Sequence, residues 1–128
     1  MTPTPPPPKP TASELAILRV LWDRGPSTVR QVHETLGQET KYTTVLKFLQ
    51  IMAEKGLVTR DDSARTHIFK AAQREETTQR RLVKDLVDRA FSGSTQALVL
   101  QALSAKRASA ADVAEIRQLL DDYEKGQS

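Results

Sequence analysis

Between Lys41 and Lys47 the chain reads Lys-Tyr-Thr-Thr-Val-Leu-Lys. A helix that reads a DNA major groove needs small hydrogen-bonding side chains and a cation near its N-terminal end. Thr43 and Thr44 can offer hydroxyls and methyls to base edges, and Lys41 and Lys47 can reach phosphates, with Tyr42 between them at the helix start. Exposed helix amides at such a start attract phosphate as well. Taken alone, the heptapeptide fits an ordinary solvent-facing helix with a Thr cap equally well. Its surroundings have to decide.

No other set of residues supports chemistry. The chain has no cysteine, which excludes a disulfide framework, a thiolate zinc site and a cysteine nucleophile. Two histidines are too few for a His-rich metal centre, so no metal and no cofactor is expected. There is no Gly-rich phosphate loop, no His-Glu-x-x-His and no Gly-x-Ser-x-Gly elbow, so the chain does not read as an enzyme. Asp61-Asp62 and Asp121-Asp122 are sequence neighbours that point different ways, and read as a turn and a solvated helix face. His33 reads as exposed, His67 as packed within a hairpin, and Trp22 as core.

The elements that must position the heptapeptide follow from period and punctuation. Thr11-Ala-Ser-Glu14 is a capping box, followed by Leu15, Leu18, Leu21 and Trp22 at helical spacing and a stop at Gly25-Pro26. Ser27 or Thr28 opens a second helix with Val29, Val32 and Leu36 on one face, closed by Gly37. A third helix over Tyr42 to Lys55 carries the stripe Val45, Leu49, Met52 and ends at Gly56; Thr43, Lys47, Gln50 and Glu54 share its other side. Leu57–Asp61 and Arg65–Lys70, separated by Asp62-Ser63-Ala64, then predict a β-hairpin. Three short helices and a hairpin describe a winged helix-turn-helix. Residues 1–70 carry ten Lys/Arg against seven Asp/Glu, and residues 71–128 nine against nine, so the basic excess of +3 lies where the DNA-reading helix is expected.

The second half is helical by pattern. Leu82 and Leu86 share a stripe that runs to Phe91; Leu98 and Leu100 lie on a second helix begun by Ser94 or Thr95; Val113, Ile116 and Leu120 lie on a third, opened by the box Ser109-Ala-Ala-Asp112. Three thin stripes in under about 60 residues cannot all be covered within one chain, which predicts a homodimer. The expected fold is mainly α: a winged helix-turn-helix DNA-binding domain over 11–71, then a three-helix dimerisation region over 72–128. Six of seven prolines fall in Met1–Pro10, which reads as an extended, disordered Pro-rich tail. No apolar run approaches the ~18 residues of a membrane span, and no signal peptide is evident, which predicts a cytoplasmic protein without membrane insertion.

The stretches Glu14-Leu-Ala-Ile-Leu-Arg-Val-Leu-Trp22, Tyr42-Thr-Thr-Val45, Met52-Ala-Glu-Lys-Gly-Leu-Val58 and Ala97-Leu-Val-Leu100 resemble the penicillinase-repressor (BlaI/MecI) family. The resemblance runs from about Thr11 to Leu120, in the same order and with similar gaps. It implies a homodimeric transcriptional repressor of the kind tied to antibiotic resistance, occluding a dyad-symmetric operator in double-stranded DNA. It also implies that Thr43, Thr44 and Lys47 lie nearest the bases, while Ser27, Thr28 and Arg30 at the second helix start, and Arg65 in the wing, face phosphates. In the family a membrane sensor protease responding to β-lactam or cell-wall stress cuts the repressor between Asn and Phe just after Leu-Val-Leu. Here that position reads Gln101-Ala102. Copper-responsive relatives carry a Cys-x-Cys pair that this chain lacks. The competing reading is a winged-helix protein-interaction module without specific DNA binding, since the same fold serves as an adaptor.

Overall fold

The computed structural model describes residues 8–37 and 39–127. Most of the expected Pro-rich tail, residues 1–7, lies outside the described residues. Helix α1 (Ala12–Arg24) starts on the expected capping box: the Thr11 hydroxyl accepts from the Glu14 amide at 3.2 Å, and the Glu14 carboxylate accepts from the Thr11 amide at 2.9 Å. Helix α2 (Val29–Leu36) starts on a second box that the sequence reading did not anticipate, Thr28 with Gln31. Helix α3 (Tyr42–Lys55) has the expected bounds and ends where Gly56 adopts φ +85°, a left-handed conformation that only glycine takes without strain.

The core of this half is made by Ile17, Leu18, Val20 and Leu21 of α1, Val29 and Val32 of α2, Val45, Leu49 and Met52 of α3, and Leu57, Val58 and Phe69 of the wing. The α3 stripe is as read from the sequence. In α1 the buried face is centred one residue earlier, on Glu14, Ile17, Leu18 and Leu21, with Leu15 and Trp22 only half-buried beside it. Trp22 sits at the edge because its indole N–H has to find an acceptor; it donates to the Gln73 carbonyl at 3.0 Å.

Strands β1 (Val58–Asp61) and β2 (Ile68–Ala71) pair antiparallel with Asp61 opposite Ile68. The strands are shorter than expected, and the turn is a six-residue loop over 62–67 rather than three residues. Asp61 accepts from the Ser63 amide, and Asp62 draws in Arg60 at 2.9 Å and the His67 imidazole at 2.6 Å. These side-chain bonds satisfy the chain locally and keep Arg65 out of the ladder. His67 is therefore exposed and held by a carboxylate, not packed. Ser27 adds a bridge on the other side of β2, exchanging both backbone hydrogen bonds with Phe69 at 2.9 and 2.8 Å.

The chain forms two compact units, dividing after Leu82. The first extends beyond the expected boundary at Ala71 because the start of helix α4 (Glu75–Ala90) packs with it: Thr78 is buried and Gln73 receives the Trp22 indole. The second holds the rest of α4, helix α5 (Thr95–Ala105, capped by Ser94) and helix α6 (Ala110–Gln127, opened by the Ser109/Asp112 box). No residue of α5 is buried. Leu86, Leu100, Leu119 and Leu120 are 47%, 61%, 65% and 58% exposed in the single chain, while Leu82, Phe91, Leu98, Val113 and Ile116 are half-buried. Among the described residues no helix is long and apolar enough to cross a membrane.

Candidate nucleic-acid interface

Helix α3 is fixed near both ends by contacts that do not use its outer face. At its C-terminal end the Lys55 ammonium lies 2.9 Å from the Glu14 carboxylate, which is 1% exposed. Burial alone pushes the Glu14 carboxyl up, but the Thr11 amide and Lys55 outweigh it and hold the group below its ordinary value. At the N-terminal end the Tyr42 ring meets His33 of α2 edge-on, with centroids 5.9 Å apart. His33 is thus half-buried against an aromatic ring, whereas its position in the sequence suggested full exposure.

Between these fixed points Thr43, Thr44 and Lys47 are exposed and line one groove together with Phe48 and Ile51. The sequence reading found the first three; it missed Phe48 and Ile51 because apolar residues in an amphipathic helix are read as core. Lys41 is the N-cap of α3 and makes no side-chain cap bond, unlike Thr11 and Thr28 in the two preceding helices. Lys41, Lys47, Arg30 and Arg65 are exposed and none is ion-paired among the described residues, whereas Arg60 is paired with Asp62.

The other anticipated phosphate contacts divide. Arg30 is exposed on α2 and Arg65 in the wing loop. The Thr28 hydroxyl is taken by the Gln31 amide as a helix cap. Ser27 does not face solvent at all: it is 1% exposed, its hydroxyl donates to the Gly25 carbonyl at 2.8 Å, and its backbone is paired with Phe69. The residue that was expected at a phosphate instead ties the wing to the segment before α2 through its backbone. Among the described residues no group of acidic, histidine or cysteine side chains could hold a metal ion.

Helices α1 to α3 followed by a two-stranded wing define a winged helix-turn-helix, the DNA-binding class of fold. The penicillinase repressor family profile matches residues 10–122. Over 117 residues, 88% of this chain and 83% of the relative, the chain is 36% identical to "Transcriptional regulator BlaI" of Mycobacterium tuberculosis strain CDC 1551 / Oshkosh, and equally to the protein of that name from strain ATCC 25618 / H37Rv. The chain belongs to the penicillinase repressor family, whose members are transcriptional regulators and not enzymes.

Proposed function

We propose that two copies of this chain form a cytoplasmic homodimeric repressor that occludes a dyad-symmetric promoter operator, with α3 in the major groove of each half-site. The observation that carries this reading is the exposed Thr43–Thr44–Lys47 groove, in a unit whose exposed Lys41, Lys47, Arg30 and Arg65 have no ion-pair partner among the described residues. Lys41, Lys47, Arg30 and Arg65 serve phosphates, Thr43 and Thr44 serve base edges, and Tyr42 lies at the entry of the helix. Leu82 at the end of the first unit and Leu86, Phe91, Leu98, Leu100, Val113, Ile116 and Leu120 of the second supply the dimer surface. Membership of a repressor family favours this over the adaptor reading.

Release is proposed to follow a cut at Gln101–Ala102 by a membrane sensor protease. Both residues are exposed and lie inside α5, so the segment has to unwind locally before an extended-substrate protease can take it. Loss of α6 and the end of α5 would remove much of the dimer surface and, with it, the linked second binding event. A β-lactam challenge followed by intact-mass measurement of the chain tests this: a fragment ending at Gln101 is expected, and derepression with the chain intact removes proteolysis from the mechanism.

A band shift on the DNA upstream of the gene tests the core of the reading. Thr43→Ala/Thr44→Ala is expected to lose about 1–3 kcal/mol per base-edge contact at the specific site only. Lys47→Ala is expected to weaken all sequences alike and to reduce the salt slope by about one unit. Binding by the double Thr variant that equals the parent's would show that α3 is not the reading helix.

A further inference from the structure

The groove face of α3 carries apolar surface that a merely solvated helix face has no use for. Thr43, Thr44, Lys47, Phe48 and Ile51 line it, a spacing that brings them to one side of the helix. Thr43, Thr44 and Lys47 are exposed; Phe48 and Ile51 are half-buried, Phe48 resting on the core from which it emerges. Residues 41–49 include no Arg, Asn, Gln, Asp or Glu, and Gln50, exposed just beyond them, does not line the groove. The first two turns therefore hold neither the guanidinium fork that reads guanine, nor the carboxamide that reads adenine, nor the carboxylate that accepts from cytosine. Lys47 adds one point charge, which serves a phosphate and guanine alike and so names no base by itself. What remains is two hydroxyls, two threonine methyls, a phenyl ring and a branched aliphatic chain. Among the four base pairs, the major-groove feature that matches such a surface is the C5-methyl group of thymine.

We propose that α3 specifies its half-site chiefly through thymine methyl groups seated in the trough formed by Thr43, Thr44, Phe48 and Ile51. This rests on the operator-binding reading above, and deepens it by naming the base feature that is read.

The test uses the full chain and changes the DNA before the protein. Sites are selected from a random duplex pool, and each thymine of the enriched half-site is then replaced by deoxyuridine, which removes only the methyl. Burial of one such carbon predicts about a four-fold loss of affinity per decisive thymine. Thr44→Ser keeps the hydroxyl and drops the methyl, and is expected to shrink the thymine-to-uracil ratio at one position while leaving the others. If sites are enriched but full uracil substitution leaves affinity unchanged, the methyl proposal falls and operator binding stands. If preference is lost with 7-deazaguanine and not with uracil, Lys47 reads guanine and the proposal falls. An unchanged ratio at every position in both Thr43→Ser and Thr44→Ser overturns the assignment to this trough. If no sequence is enriched, the operator reading fails and takes this one with it.

Discussion

Glu14 does two jobs with one carboxylate: it caps α1 through the Thr11 amide and anchors the far end of α3 through Lys55. Its folded-state carboxyl is held below the ordinary value of 4.5, so the stability it contributes is fully present above that value and is lost as pH falls through the lower, folded-state value. Glu14→Gln is expected to cost about 1–2 kcal/mol at neutral pH, the worth of a cap plus a pair whose lysine is partly solvated. Urea unfolding of parent and variant at pH 7 and near pH 3 checks this. The difference is expected to shrink in acid, and a pH-independent difference would show that the charge contributes nothing. The capping half of this arrangement is legible in Thr11-Ala-Ser-Glu14, because its partners are three residues apart. The anchoring half is not, because Lys55 lies 41 residues away and nothing local distinguishes it from any other lysine near a helix end. Ser27 shows the same limit from the other side. A hydroxyl beside a helix start reads as a cap or a phosphate ligand, and only the return of β2 beside it reveals a buried bridge.

At the scale of elements, period and punctuation located the helices to within a residue or two, since each begins at a side-chain cap or ends near a glycine. The wing was harder to read. Strand propensity runs through Arg65 and Thr66, but the carboxylates of Asp61 and Asp62 recruit Ser63, Arg60 and His67 and open a wide loop instead. The first compact unit runs past the link from wing to α4, which looks like a domain boundary in sequence, because Trp22 bonds to Gln73 and Thr78 is buried. A chain ending at Leu82 is therefore expected to unfold cooperatively and to be more stable than one ending at Ala72, which lacks the Gln73 acceptor. Trp22→Phe should cost about 1 kcal/mol in the longer chain, the net worth of one hydrogen bond, and only packing in the shorter. Calorimetry on the four proteins measures the coupling; equal costs in both backgrounds would show that the indole bond is idle.

For the molecule as a whole, the contrast between the two units matters most. The first buries a core of a dozen apolar residues, while α5 of the second buries none. Leu100, Leu119 and Leu120 are more than half exposed, so replacing them costs the single chain little and any large effect has to come from association. The full chain is expected to sediment as a dimer at micromolar concentration, and Leu119→Glu/Leu120→Glu as a monomer that retains the unfolding transition of the first unit. A monomeric parent would remove the dimer from the proposed function. The sequence made this asymmetry visible, since the second half carries only short amphipathic stripes without a second layer. The uncovered helices also bear on how a cell keeps count of the repressor. On the proposed dimer, at low copy number, the amount of operator-competent species varies as the square of the chain concentration, so halving the stock by growth and division lowers it about four-fold. Repression of this kind fades with dilution whenever synthesis stops, and the leucines left bare in the single chain set the population size at which it does so.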